Sequence, residues 1–468
     1  MEQPLPISDL KFVKAKDFLL KYKHLVKYAD KAKSWILSIE EDNEDGYIME
    51  IDCKIPISRH KNFTNYPLAP EKSKINGKML SPYQRELLKK KIIKKNNDLT
   101  EEMINHKLDS YQSCEKLILN LYPKERYIVH YRTLQLYLNL GLEITKIHRV
   151  LSFKQQRWLA PYIKANTEMR QKASNDFEKN FFKLMNNAFF GKTMENVRKR
   201  RNIELVNSDK KLKKLVSQPT FKSITSFQDN LSAVERLNRK VVLDKPIYIG
   251  YCVLDLSKFF MYDFYYNVLE QVFPKLQLLF TDTDSLCVSI TGSKNVYKEI
   301  RNSIVLTGFF EPTLNYFDLS NYCSDHVIFN EMNAKEINFI KNRNKKIPGK
   351  FKDEAEGYPI LEFIGLRAKS YAFKRVSKND CIIEEKKLKG IQKGVVKKSL
   401  NFNHYKSAIY DENSYIASTC SLRSNLHQIE TRRINKIATG PFDDKRYLLN
   451  DGITSVPYGD YTISPKEQ

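Results

Sequence analysis

Residues 276–290 read Leu-Gln-Leu-Leu-Phe-Thr-Asp-Thr-Asp-Ser-Leu-Cys-Val-Ser-Ile. Two short apolar runs flank the acidic centre Asp282-Thr283-Asp284-Ser285, the pattern of two strands joined by a turn with both carboxylates at its tip. Carboxylates held between buried apolar strands are costly unless their charge is offset. A divalent cation would offset it, and hard oxygen ligands favour magnesium or manganese. The plainer alternative is a solvated hairpin turn, because Asp-Thr-Asp is a short and common string.

The surrounding chain has 468 residues, enough for two to four structural units. Its 79 Lys and Arg against 55 Asp and Glu leave a net charge of +24, which points to a polyanionic partner, most simply nucleic acid. No apolar run is long enough to span a membrane, and Met1-Glu2-Gln3-Pro4 opens without the apolar core of a secretion signal. The seven cysteines are scattered and odd in number, and none fall at metal-finger spacing. Reduced thiols in an intracellular protein, and no zinc site, are the expectation.

Residues 46–56 read as a strand. Asp52 within it is either catalytic or a residue at the strand end. Residues 85–97 form a basic helix or arm, a solvated face or a phosphate contact. Thr100-Glu101-Glu102 starts a further helix. Residues 126–141 give a strand and then an amphipathic helix stopped by Gly141. Residues 144–153 give another strand, with His148 in its core or on its surface. Residues 166–200 have helical spacing and no proline. Arg170, Lys172, Lys179 and Lys183 would lie near one side, as a solvated face or as a rail for a triphosphate. Gly191, after Phe189 and Phe190, should break that helix and admit a flat base. Residues 202–246 show no period and read as a connecting subdomain. Residues 248–269 read as a short strand and a strongly aromatic helix, with Phe259, Tyr262, Phe264, Tyr265 and Tyr266 in the core. Val296–Ile304 reads as helix, residues 321–344 as irregular, and residues 345–354 as a basic loop entering a strand. Residues 360–375 read as paired strands, and Lys386–Gly390 precedes a helical tail.

Taken together, these segments resemble family B DNA polymerases. Lys183-Leu184-Met185-Asn186-Asn187-Ala188-Phe189-Phe190-Gly191 resembles the K-x-x-x-N-S-x-Y-G helix of that family, and Phe280–Ser285 resembles its Y-x-D-T-D-S turn, in the same order. Lys369-Ser370-Tyr371 looks like the K-x-Y element of the protein-primed branch. The phrases IHRVLSF, NDFEKNFFKLMNNAFFGKTMENVRKR, LFTDTDSL, PGKFKDE and EFIGLRAKSYA resemble the polymerases of Maverick/Polinton-type mobile elements and related DNA viruses, over nearly the whole chain.

The resemblance implies an α+β palm, fingers and thumb, with palm strands and an insertion like the terminal-protein-contacting region in 1–150, fingers in 151–200, palm in 201–390 and a thumb-like region in 391–468. It implies templated nucleotidyl transfer. Arg170 and Lys183 would meet the triphosphate, Asn187 and Gly191 would line the nucleotide pocket, and Lys369 and Tyr371 would hold the primer strand. Asp282 and Asp284 would bind two Mg2+ ions, or Mn2+. The implied partners are primer–template DNA, deoxynucleoside triphosphates and a priming terminal protein.

Ala188, Phe190 and Phe280 depart from the family pattern while keeping its shapes. The larger departure is the missing D-x-x-x-L-Y motif. The chain opens just after the place where relatives carry it, and the proofreading exonuclease domain is missing too. The expectation is therefore a truncated polymerase that binds DNA and extends weakly or not at all. Two rivals stand beside it. One is a non-catalytic DNA-binding remnant; the other is a nuclease or another metal-dependent phosphotransferase built on the acidic turn. Arg198-Lys199-Arg200-Arg201 resembles a nuclear-import cluster and also suits a helix end, so a nuclear location is one reading.

Overall fold

Four strands build one antiparallel sheet. Leu5–Lys14 (β1), Asp45–Lys54 (β2), Lys124–His130 (β3) and Glu143–Gln156 (β4) line up in the order β1-β4-β2-β3. The computed structural model describes residues 1–14, 29–96, 98–293, 295–302, 316–377, 379, 381–425 and 427–463. The part of the expected helix at residues 303–304 lies outside these; Val296–Asn302 within them is helical.

On β2, Met49, Ile51 and Cys53 are buried in the largest core. Glu50 is instead held by ion pairs with Arg149 and Arg126. Asp52 is likewise engaged within the sheet. Its Oδ1 accepts the Arg126 backbone N–H at 2.8 Å and lies 2.7 Å from His148 Nε2. Those two contacts, the backbone one foremost, hold its carboxyl below the usual range. His148 is thus a strand residue tied to Asp52.

The helix Tyr131–Leu140 (α3, after Pro82–Lys95, α1, and Glu101–Asp109, α2) begins at His130, whose Nδ1 accepts the Arg132 N–H. It ends at Gly141, which sits at φ +105° and donates to Leu138. Only glycine adopts that backbone without strain, and an added Cβ would also meet the Arg59 guanidinium. Gly141→Ala is expected to lower stability by about 1–2 kcal/mol, read as a lower urea midpoint at unchanged slope.

Residues 166–200 depart from the expected single helix. They divide into Ala160–Lys172 (α4) and Asp176–Thr193 (α5). Asn175 is the reason: its side chain accepts the Glu178 N–H and starts a new helix. Arg170 and Lys172 are therefore not on the helix that carries Lys179 and Lys183. Nor does Gly191 break α5, which runs on to Thr193. Residues 202–246 form a three-stranded sheet, Asn202–Val206 (β5), Phe221–Gln228 (β6) and Leu231–Arg236 (β7), with the helix Asp209–Val216 (α6) beside it.

The strand expected at residue 248 is helix. Ile247–Asp263 (α7) continues into a π-helical turn, Phe264–Leu269. Its β-branched and aromatic start resembles a strand locally. Ile249, Cys252 and Leu256, however, share one helical face and pack on Leu5, Ile48, Phe153 and Ile163. Gly250 comes so close to Met194 and Thr193 that a Cβ there would collide with both. Tyr262, Phe264, Tyr265 and Tyr266 are buried in the main core, and Phe259 packs against it.

Two further regions differ from expectation. Residues 321–344 are more regular than expected, ending in the helix Ala334–Arg343 (α8) with a capping box at Asn333. The tail is not purely helical. Phe402–Tyr410 (α9) is followed by a long hairpin, numbered β15 and β16 here: Tyr415–Asn425 and Gln428–Thr439. No helix among the described residues is long and apolar enough to cross a membrane.

Candidate active site

Leu276–Thr281 (β8) and Leu286–Ile290 (β9) pair antiparallel, with Thr281 opposite Leu286. Leu276 is part of the main core, and Leu278, Leu286 and Val288 pack against it. The apolar runs thereby anchor the hairpin and leave its tip outward. The Asp282 N–H donates to the Ser285 carbonyl at 3.1 Å, and the Asp284 N–H donates to the Asp282 carbonyl at 2.7 Å. Thr283 takes the left-handed backbone, φ +60°. Both carboxylates are left free of the turn's backbone bonding. Asp284 is exposed and Asp282 half-buried.

With Asp284 exposed and Asp282 only half-buried, burial does not by itself demand a cation, contrary to the expectation from buried strands. Asp282 already has one. Lys369 Nζ lies 3.0 Å from Asp282 Oδ1. Lys369 itself stands at φ +60° in the turn between Ile360–Arg367 (β12) and Ser370–Val376 (β13). These strands form a sheet with Ile382–Leu388 (β14); the two-residue strands Phe317–Asp318 (β10) and Phe351–Lys352 (β11) precede it. On β13, the Tyr371 ring stacks on Phe280 with centroids 4.3 Å apart, and Phe363 joins from β12 at 5.7 Å. Burial, with Glu354 and Asp282 nearby, raises the Tyr371 hydroxyl, so it stays protonated.

The pair Lys369–Asp282 is largely exposed, so it contributes at most about 1 kcal/mol. Lys369→Gln is therefore expected to raise Mn2+ affinity at the tip by no more than about fivefold, measured by paramagnetic relaxation of water.

Lys183, Asn187 and Gly191 lie at successive four-residue steps along α5, all exposed. Where a Gly191 Cβ would stand there is open space. The helix is fixed from its other side: Trp158 meets Phe189 edge-on at 5.8 Å, and the Tyr162 hydroxyl donates to the Met185 carbonyl. No hydrogen bond or ion pair among the described residues joins Lys183 or Asn187 to Asp282 or Asp284. The hairpin tip and the Lys369–Tyr371 element are thus brought together by direct contacts, and among the described residues no such contact ties Lys183 or Asn187 to them. Arg170, at the end of α4, keeps a buried Nε with no partner among the described residues.

Two residues had no sequence signal, one near the tip and one away from it. Tyr66 stacks on Tyr262 at 4.3 Å, and burial pushes its hydroxyl up while Thr281, one residue before Asp282, acts in the opposite sense. Asp255 is fully buried on α7. It accepts the His130 N–H at 2.8 Å and pairs with Lys258 at 2.9 Å.

No protein-family model matches the chain, and comparison with curated proteins finds no relative. Among solved structures the chain is similar to phi29 DNA polymerase. The match to its orthorhombic crystal form has 13% identity and a TM-score of 0.49, covering 93% of this chain and 55% of that one. The match to its complex with primer-template DNA and incoming nucleotides has 12% identity and a TM-score of 0.49, over 94% and 55%. The match to its binary complex with primer-template DNA has a TM-score of 0.46. The chain spans just over half the length of phi29 DNA polymerase.

Proposed function

We propose that the chain is the polymerase part of a protein-primed family B DNA polymerase of Maverick/Polinton-like or viral type, transferring deoxynucleotides to a primer 3′-hydroxyl. The observation that carries this reading is the meeting of two distant motifs: the tip Asp282–Asp284 lies against Lys369, and Phe280 stacks on Tyr371. A cation and a protonated hydroxyl beside one exposed and one half-buried carboxylate suit a primer end, where phosphate and sugar must be held next to the reacting centre. In this reading the β1–β4 sheet and the acidic hairpin belong to the palm, α4 and α5 to the fingers, and the chain beyond residue 390 to the thumb.

Two carboxylates on an outward tip fit a magnesium or manganese ion whose shell is completed by water and substrate phosphate oxygens. Among the described residues no group of three His, Cys, Asp or Glu could hold a metal by itself. Asp282 and Asp284 would hold the ion, which when bound would activate the 3′-hydroxyl and stabilise the departing pyrophosphate. Lys369 and Tyr371 position the primer end. Lys183 and Arg170 offset triphosphate charge, and the open space at Gly191 admits the base beside Asn187. DNA is gripped through its backbone, as the charge of +24 favours.

The rival reading, a DNA-binding remnant without catalysis, is favoured by two observations: Asp282 is already paired with Lys369, and among the described residues no third carboxylate gathers with the pair. Nucleotide binding separates the two. Lys183→Ala is expected to weaken magnesium-dependent deoxynucleotide binding by about tenfold or more, in calorimetric titration of the whole chain. Equal affinity in variant and parent would sink the polymerase reading.

A further inference from the structure

The helix α9 has two different sides. Phe402, Tyr405 and Ala408 sink into a core with Ile364, Leu366 and Ala372. Asn403, His404 and Ser407 fall on the opposite side at helical spacing. That polar side meets the root of the β15–β16 hairpin, where Tyr415 and Thr439 are cross-strand partners. Between helix and hairpin lies a cavity of about 300 Å3, lined by Asn403, His404, Ser407, Asn413, Tyr415 and Thr439 among others. No Lys, Arg, Asp or Glu lines it, in a chain of net charge +24. Its chemistry therefore suits an uncharged group.

The polar groups of the cavity are partly engaged within the protein and partly free. The Asn401 backbone N–H donates to His404 Nδ1 at 3.1 Å, which leaves Nε2 as the donor of that ring. Asn413 Nδ2 donates to the Ser407 hydroxyl at 3.0 Å, which leaves the Asn413 amide oxygen as an acceptor. Asn403 is exposed, and its amide offers a donor and an acceptor side by side. The His404 and Tyr415 rings, 4.3 Å apart and inclined at 57°, make an aromatic corner. Thr439 is fully buried, and its hydroxyl has no hydrogen-bond partner among the described residues. Buried hydroxyls are ordinarily paired. Valine has the same outline and would bury no such group, so the partner of this hydroxyl is to be sought outside the chain.

We infer that this cavity is a nucleobase pocket, which takes one unpaired base of a single-stranded nucleic acid. A base is flat, uncharged and edged with donors and acceptors. Aromatic rings suit its face, and side-chain amides suit its edge. The volume falls at the small end of ligand pockets, enough for one base. Charge around the cavity favours a base over a free sugar or a peptide side chain. The hairpin rising from it carries Arg423, Arg432, Arg433 and Lys436 against the single acid Glu430. Such cations hold the phosphates of a strand, and the uncharged cavity at their root holds its base. The pocket uses neither the acidic turn nor α5. Only the source of the base rests on the reading of the chain as a polymerase.

The test is titration of the whole chain with adenosine and with thymidine, followed by saturation-transfer NMR, which needs no magnesium, primer or template. At least one nucleoside is expected to bind. Thr439→Val and Asn403→Ala should each weaken it about fivefold or more, and Asn187→Ala on α5 should not. Ribose should not compete. Single-stranded oligothymidylate should bind more tightly than an abasic strand of equal length, and both variants should narrow that preference. Thermal melting shows that each variant folds, and Thr439→Val should melt no lower than the parent. Absence of nucleoside binding would overturn the pocket, as would unchanged affinity in both Thr439→Val and Asn403→Ala. Loss in Asn187→Ala alone, or competition by ribose as strong as by the nucleosides, would overturn it too. A chain that binds nucleosides here and extends no primer would uphold the pocket while removing the polymerase reading.

Discussion

Asp284→Ala is expected to abolish magnesium-dependent primer extension, by about a thousandfold or more relative to the parent chain, with primer–template affinity unchanged. The size follows from the geometry of the tip. Asp284 is its exposed carboxylate, and its partner Asp282 is shared with Lys369. Removing Asp284 leaves one half-neutralised oxygen pair for a divalent ion. With only two carboxylates at the tip, the parent chain itself should extend slowly, so single-nucleotide incorporation over hours is the informative assay. Asp284→Asn keeps the shape of the turn and should be as inactive, which separates a ligand role from a fold role. Rapid extension by Asp284→Ala would remove the acidic turn from the mechanism. Degradation of DNA without added nucleotide would favour the nuclease rival.

The second large effect is expected at Asp255, away from the tip. Asp255→Ala should lower stability by about 2–4 kcal/mol, because it strands the buried His130 N–H and unpairs Lys258. Asp255→Asn keeps an acceptor for that N–H and should cost less. The same joint sets a pH dependence. His130 is fully buried, and that burial, with Arg132 nearby, pushes its imidazole down to about 3 from the usual 6.5. The unfolded chain therefore binds a proton that the folded chain refuses between these values. The stability gained from neutral His130 is fully present above pH 6.5 and is lost as pH falls towards 3. Urea midpoints at pH 7 and pH 5 should show the decline. His130→Gln, if folded, should flatten it.

Local sequence signals account for many elements and for the motifs. Alternation with turn residues places the acidic hairpin, Gly141 ends its helix, and the Thr100 cap starts another. The motifs Lys183–Gly191, Phe280–Ser285 and Lys369–Tyr371 are continuous strings, visible before any fold is known. Where the sequence misleads, the cause is a competing signal of similar strength. One asparagine cap divides residues 166–200, and a β-branched start disguises α7, whose helical state is stabilised by packing on β1, β2 and β4.

What the tertiary structure alone decides is which distant groups share a surface. Lys369 reaches Asp282 across more than eighty residues of chain, Asp255 holds His130, and the loop at 345–352 meets Arg170. None of these partners has a periodicity or spacing that betrays it, because each contact is made by the packing of whole elements. The chain itself specifies the chemistry it carries: two adjacent carboxylates and a large excess of cations. The fold specifies where that chemistry converges, because charge acts over a few ångströms in space and not along the sequence.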